Sequence, residues 1–556
     1  MASGNGKMKE RKKGKITVIF GKRASLKEQL PEDTILIAPS EDNWNDFGYR
    51  TRVDVRINLS GELNVHIMEA YIGFITDQPD DPNGIYPLEK LLKGVEVLTL
   101  PATDSHRFYT MLPSMKAYRS IVQIFGVNRS VEILTAIRDL VALSEFKTKA
   151  NWLEQAKNSD VFLKSFVRSA ESYFAFKNAG SILRGLEFEE FRNLSKAFSI
   201  SFQLPGRENA HSLTFQFDHE ADLPKRIAVI IGKNGVGKSQ TLGRIVRAAL
   251  EGDTSLVDGD TEDRILVNRI LAFAPTNEAG SVFPSERRKR PRVWYRRFTL
   301  NRSGAVRKGA GVADQVLQVA RSEEYIGESS RWDIFLEALS AIENWEQICL
   351  PVRDEILTPI PLDQLKRGGE QRSLEKFAAV DIRKEPIRLV AGASYPLSSG
   401  EISFLRFAAQ ASLNIENGSL LLLDEPETHL HPNFISQFVS LLDSLLAQTG
   451  SAAIIATHSA YFVREVFQEQ VTVLRNDQDG FVRIEQPTLR TFGADVGAIS
   501  YFVFGEDEPS RLASTVEDRL RARFKSWEEL YTRYKSELSL EILGSLRESM
   551  EAGESQ

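Results

Sequence analysis

A single cysteine, Cys349, occurs in 556 residues, which excludes an intrachain disulfide and any metal site built on several thiolates. No apolar run is long enough to cross a bilayer as a helix, and the Lys-rich opening lacks the apolar stretch of a secretory signal. No excess of charge of one sign exists either, since 70 Lys and Arg stand against 76 Asp and Glu. Global charge therefore gives no reason to expect nucleic acid, and that case has to rest on a local cluster. Sustained heptads are missing, which excludes a long coiled-coil arm. The expectation left by these absences is a cytoplasmic protein without a membrane span.

What is present is an ordinary globular composition, 42% apolar and 26% charged, in a chain long enough for two or three domains. Residues 1–15 form a basic tail without periodicity, read either as a solvated charge run or as a binding arm. Residues 16–180 carry no chemical motif. Short β-rich runs at 16–20, 34–38, 52–59 and 63–74 precede helical sequence from about Ser114, which predicts an α+β accessory domain. Phe198-Ser-Ile200-Ser-Phe202 alternates as an edge strand would.

The chemistry begins after a β-branched run at 227–231. Gly232-Lys233-Asn234-Gly235-Val236-Gly237-Lys238-Ser239 follows it directly, and Gln240 opens a helical stretch. Strand, glycine loop and helix form a cradle in which backbone N–H groups and the helix N-terminus face an anion. Lys238 is placed to neutralise β and γ phosphates, and the Ser239 hydroxyl to ligate Mg2+. The apolar run 420–423 suits a central parallel strand and delivers Asp424 and Glu425 to its carboxyl end. Asp424 is expected to hold Mg2+, and Glu425 to act as the general base on water. Upstream, Leu397-Ser398-Ser399-Gly400-Glu401 opens another helical segment and offers a second anion-binding N-terminus. His458 ends a further apolar strand at 452–456.

Taken in order, these elements resemble those of the ABC ATPases over roughly residues 181–481. The resemblance implies ATP and Mg2+ as cofactors, Ser398 to Glu401 as the signature motif, Asp424-Glu425 as Walker B, and His458 as a γ-phosphate sensor. Glu425, His458 and Lys238 are then the catalytic set. It further implies a head-to-tail homodimer with two sandwiched ATP molecules, Lys238 of one protomer facing Ser398 of its mate, with higher oligomers an open possibility. The glutamine loop of that family has no counterpart in Pro275-Thr276-Asn277-Glu278. The expected architecture is α/β: an ABC-type P-loop ATPase head at 181–508 with an enlarged helical and basic insert at about 280–390. An N-terminal α+β domain precedes it, and an amphipathic helical segment, 509–556, follows.

Within the soluble branch, the Glu427-Thr-His429-Leu-His431-Pro432 run is similar to recombination, repair and phage-defence ATPases. His429 and His431 are read as structural or interfacial rather than metal ligands. Trp44-Asn-Asp-Phe-Gly48, the phosphate loop and Phe492-Gly-Ala-Asp-Val-Gly497 resemble the ATPase subunit of Septu-type antiphage systems. That resemblance implies a separate HNH nuclease as partner. Relatives of the overcoming-lysogenisation type carry a Toprim nuclease domain, but Asp477-Gln-Asp479 here reads as a hairpin turn, so no nuclease site is expected in this chain. Alternatives are a DNA recombination or repair clamp, and a toxin or regulatory ATPase acting on a protein partner.

Two further features stay open. Arg287, Arg288, Lys289, Arg290, Arg292, Arg296 and Arg297 run on to Arg302, Arg307 and Lys308 without an acid and are interleaved with Trp294, Tyr295 and Phe298. Such a cluster suits nucleic acid, a solvated loop, or an acidic protein surface. Leu512, Val516, Leu520, Phe524, Trp527, Tyr531, Tyr534 and Leu538 fall at spacings of three and four, as in one amphipathic helix packing on its own core or on a partner.

Overall fold

The computed structural model describes residues 16–41, 49–62, 64–75, 87–93, 98–146, 151–185, 194–204, 209–219, 223, 225–275, 279–286, 291–300, 311–354, 357–476, 481–504, 511–524 and 526–553. Its N-terminal part is a six-stranded sheet in the order Thr99–Pro101, Thr17–Gly21, Thr34–Pro39, Arg52–Asn58, His66–Phe74, Phe108–Met111. The Arg52–Asn58 strand alternates buried and half-buried residues, so one face packs inward while the other is wet. Helices Met115–Ala136, Ala170–Asn178 and Gly180–Arg184 join that inner face in one apolar core. The first of these is broken at Gly126, which takes a non-helical φ of 71°.

A seven-stranded sheet organises the larger part, in the order Trp294–Thr299, Arg269–Ala274, Leu420–Asp424, Ala452–Thr457, Ile227–Gly232, Val471–Asn476, Val482–Glu485. All neighbours are parallel except the last pair. Its central strands are continuous apolar runs because both faces are covered. Val229, Ile231, Leu421, Leu423 and Ile455 enter a core shared with helix Ser399–Asn414. Ile230, Leu420, Leu422, Ile454 and Ala456 point the other way, towards helix Lys238–Glu251. A period of two therefore sends alternate residues of each strand into two separate cores.

Several expectations are corrected in detail. The 198–202 run is not an edge strand: Ala197–Gln203 is the middle of an antiparallel three-stranded sheet, between Leu256–Asp258 and Ala210–Gln216. Its alternation reflects one covered face, which a middle strand also has. The 280–390 insert is not only helical. Besides helices Val312–Arg321, Arg331–Leu339 and Glu370–Ala379, it supplies the strand Trp294–Thr299 to the main sheet and three strands to a four-stranded antiparallel sheet, Ile360–Pro361, Ile348–Leu350, Ile387–Val390, Ala393–Pro396. The C-terminal stripe is not one helix but Arg511–Arg523 and Trp527–Tyr534, followed by Leu540–Gly553. Leu520, Phe524, Leu530, Leu543 and Leu546 close a small core of their own, so the chain turns back to bury the stripe on itself. Residues 44–48 and 477–480, which carry the Trp44 string and the Asp477–Asp479 pair, lie outside the described residues. No helix among the described residues is long and apolar enough to cross a membrane.

The two parts meet at Gly418, in the turn before the Leu420–Asp424 strand. Gly418 has a φ of 67°, and a Cβ there would sit 2.2 Å from Cε2 of Phe174, a buried residue of the N-terminal core. Gly418→Ala combines a disfavoured backbone with overpacking and is expected to cost about 1–3 kcal/mol. A lowered denaturant midpoint would register that cost; an unchanged midpoint would show that Phe174 does not press on this turn.

Candidate active site

Parallel strands leave their carboxyl ends along one rim, and three neighbours in this sheet carry the polar residues there. Ile227–Gly232 leads into the glycine loop, Leu420–Asp424 into Glu425, and Ala452–Thr457 into His458. Helix Lys238–Glu251 starts from Gly237, whose φ of 103° is a left-handed conformation that favours glycine. Lys233, Asn234, Gly235 and Gln240 are exposed, Val236 is buried, and Gly237 and Ser239 are half-buried, so the crest of the loop is open to solvent over an apolar floor.

Lys238 is the centre of the site. Only 4% of it is exposed, and its ammonium donates to Gly232 O at 2.9 Å, to Lys233 O at 3.1 Å and to Nδ1 of His458 at 3.2 Å. An ammonium has no acceptor, so Nδ1 accepts, Nε2 bears the proton, and it donates to Oε1 of Glu425 at 2.9 Å. Burial pushes the Lys238 pKa down to about 8, against the pull of Glu425, Glu427 and Asp424. Glu425 holds a φ of 43°, rare for a non-glycine residue, fixed by its N–H on Ala456 O at 2.8 Å. Such a strained backbone persists where surrounding contacts over-determine it.

Glu427 was not assigned a role from the sequence. Its Oε1 accepts from Thr457 Oγ1 at 2.6 Å and from the His458 N–H at 2.8 Å, so it clamps the turn carrying His458 to the turn carrying Glu425. An acid two residues beyond Glu425 was visible in the sequence, but its partner lies on a neighbouring strand. The His431 ring accepts from Asn433 N–H and caps helix Pro432–Thr449, a structural use.

Burial raises Asp424 to about 6, opposed by a hydrogen bond from Ser239; Glu425 and Glu427 push it further up and Lys238 pulls it down. Its Oδ1 is buried without a hydrogen-bond partner. An orphaned carboxylate oxygen beside a hydroxyl is a donor pair that fits Mg2+. Among the described residues no group of three or more His, Cys, Asp or Glu could hold a metal. The protein would therefore supply few ligands, leaving the rest of the shell to phosphate oxygens and water.

Ser398 caps helix Ser399–Asn414 in a capping box: its hydroxyl accepts from Glu401 N–H, and Glu401 Oε2 accepts from Ser398 N–H at 2.8 Å. Burial tends to raise Glu401, but bonds from Ser398 and Arg388 outweigh it and hold the carboxyl low. Ser398 and Ser399 are exposed and Gly400 is buried. No hydrogen bond among the described residues joins this cap to the glycine loop. The structure thus brings Lys238, Ser239, Asp424, Glu425 and His458 together and leaves Ser398 and Ser399 exposed apart from them, with Gly400 buried and Glu401 held by Ser398 and Arg388.

Of the basic cluster, Arg287, Arg288, Lys289 and Arg290, with Arg302, Arg307 and Lys308, lie outside the described residues. Arg296 donates to Asn414 Oδ1 at 3.0 Å, Arg297 to Phe283 O at 3.2 Å, and the Arg292 backbone bonds Leu250 and Ala170. The interleaved rings are used inside the fold. Phe298 is buried, Tyr295 donates to Pro284 O, and Arg269 lies over Trp294. Residues 276–278, where a glutamine-loop equivalent would fall, are also outside the described residues.

Were Asp424 to hold Mg2+, protons would compete with the ion for the same carboxylate. Because its folded pKa is raised, protonation favours the folded state, a contribution fully present below 3.8 and lost as pH rises through about 6. Apparent Mg2+ affinity should then fall about tenfold per unit below pH 6. Thermal-shift titrations with Mg2+ at pH 7.5 and pH 5 test this, with Asp424→Asn abolishing the difference. Equal titrations at both pH values would remove Asp424 from the metal site.

Residues 354–464 match the family described as "AAA domain, putative AbiEii toxin, Type IV TA system". Among curated proteins, the chain is 22% identical over 528 residues to protein ea59 of Escherichia phage lambda, covering 90% of this chain and 92% of that one. A 70-residue stretch is 37% identical to UvrABC system protein A of Chlamydia muridarum, 13% of this chain and 4% of that protein. Solved structures with some likeness include an inward-facing metal-chelate type ABC transporter, at 18% identity, TM-score 0.26, over 52% of this chain and 83% of that one. The SMC head domain from Thermotoga maritima matches at 14% identity, TM-score 0.26, over 53% of this chain and all of that one. The parallel strand order and the strand–glycine loop–helix unit give this chain a P-loop α/β fold, within which residues 354–464 match the AAA-domain family.

Proposed function

We propose that this chain is the ATP-binding and ATP-hydrolysing subunit of an antiphage defence system, acting as a head-to-tail dimer that controls a separate nuclease of HNH type. The observation that carries the ATPase half is the line Lys238, His458, Glu425, closed at 3.2 and 2.9 Å beside the Asp424–Ser239 pair. The glycine loop and Lys238 bind and neutralise the triphosphate. Bound Mg2+ supplies charge neutralisation at the phosphates. Glu425 accepts the proton of the attacking water, while His458 holds the Glu425 carboxylate through Nε2–H and keeps Nδ1 towards the Lys238 ammonium. The exposed Ser398 cap supports a site completed by a second copy, with two-fold symmetry. The defence half rests on the resemblance to Septu-type ATPases, and the nuclease is the effector that nucleotide state would release or restrain.

A second reading, a DNA repair clamp, is favoured by the short likeness to UvrABC system protein A. It requires ATP-dependent DNA binding with steep salt dependence, reduced by neutralising the 287–308 cluster.

Glu425→Gln is expected to lower ATP turnover at least about a hundredfold while keeping ATP binding, and to accumulate the dimer. Steady-state phosphate release and mass measurement with Mg2+ and ATP read both effects. Affinity capture of this variant from its native operon should recover a nuclease. Turnover unaffected by the substitution would remove Glu425 as the base, and a lone dimer that captures DNA in ATP would favour the clamp.

A further inference from the structure

The amino ends of two site-bearing strands, Leu420–Asp424 and Ala452–Thr457, and of the neighbouring strand Arg269–Ala274 are tied, opposite the active site, in a buried polar knot. Glu416 O accepts from Ser419 Oγ at 2.7 Å and from Ser451 Oγ at 3.2 Å, which joins the start of the Asp424 strand to the start of the His458 strand. Gly418 N–H donates to Thr449 O, and Asn268, just before Arg269–Ala274, donates to Gly418 O and Asn417 O.

Two arginines from elsewhere in the chain converge on the Glu416 side chain. Arg331, in the insert, donates to Oε1 at 2.9 Å and also to Ser412 O and Ile415 O at 2.8 Å, which closes the carboxyl end of helix Ser399–Asn414. Arg119, in the N-terminal helix Met115–Ala136, donates to Oε2 at 2.7 Å, to Asn417 Oδ1 at 3.3 Å and to Tyr325 O at 2.9 Å. The Arg119 and Glu416 side chains are each 3% exposed and Arg331 2%. Glu324 accepts from Arg331 and pairs with Lys116 in the same N-terminal helix. A buried ion array is weak evidence for stability by itself. What this array adds is direction, because it specifies one geometry between the N-terminal helix, the end of helix Ser399–Asn414 and the start of strand Leu420–Asp424.

We infer that Arg119 is a positioning residue for ATP hydrolysis: acting through Glu416 it fixes the start of the strand that delivers Asp424 and Glu425, and so makes the N-terminal domain the control element of turnover. This rests on the hydrolysis reading above. A strand of five buried residues has no slack to absorb a shift at its start, so a displaced Glu416 moves the carboxylates at its end. ATP and Mg2+ drawing Asp424 and Glu425 into place act on the same strand, so they are expected to steady Glu416 and, through it, the N-terminal helix.

Arg119→Met leaves Glu416 paired with Arg331, so the array loses a cation without stranding the buried carboxylate. In the full chain, kcat for ATP is expected to fall about tenfold, with KM within about twofold, since the phosphate loop is untouched. Arg119→Lys, which keeps the charge and loses the forked contact, should recover part of that loss, which a simple packing role would not require. A measurement that needs no change at Arg119 is hydrogen exchange over residues 115–125 in Glu425→Gln protein, expected to slow when Mg2+ and ATP are added. Wild type that fails to hydrolyse ATP would sink the hydrolysis reading. Wild-type turnover with unchanged kcat in folded Arg119→Met, or exchange over 115–125 indifferent to ATP, would overturn the inference.

Discussion

The ammonium of Lys238 organises everything around it. A nearly buried cation can be tolerated only if each of its protons finds an acceptor, and here two go to the loop's own carbonyls and the third to His458. That third bond fixes the histidine tautomer, which in turn aims Nε2–H at Glu425. Around the ammonium stand Asp424, Glu425 and Glu427, whose charges offset part of the desolvation that lowers Lys238. Removing or neutralising any member changes the balance for the rest, so these residues act as a unit rather than as independent contributors.

Such a cluster is possible because the strands beneath it are parallel and covered on both faces. Alternating side chains lock each strand between two cores, and register between neighbours places Asp424 beside Ala456 and Thr457 beside Ile231. The rim is therefore set by the sheet, while the glycine loop and the Glu425 turn supply the unusual backbone conformations. At the far end, Glu416, Ser419 and Ser451 fix the strands in the same relative positions. The domain is held polar at both ends and apolar between them.

Much of this was legible in the sequence because it is local. A glycine loop between a β-branched run and a helix, or an apolar run ending in Asp-Glu, specifies its own backbone within a few residues. Contacts made across strands were not legible: Glu427 gains its meaning from Thr457 and His458, and Arg119 meets Glu416 at a separation of 297 residues. Periodicity alone also misled. The 198–202 alternation marks a covered face and not an edge, and the C-terminal stripe keeps helical spacing across a break near Phe524. The aromatics of the basic segment suggested stacking on bases, whereas a strand assignment would have sent Phe298 into the core.

In the proposed dimer the rim binds ATP together with the exposed Ser398 cap of a second copy. Glu425→Gln proteins carrying either Asn234→Cys or Ser399→Cys, both exposed positions, can be mixed and treated with a short bis-maleimide; the native Cys349 is buried and does not compete. A cross-linked dimer formed from the mixture, dependent on Mg2+ and ATP and absent from either protein alone, is the predicted result. ATP binding without any such cross-link would rule out a site shared between two copies.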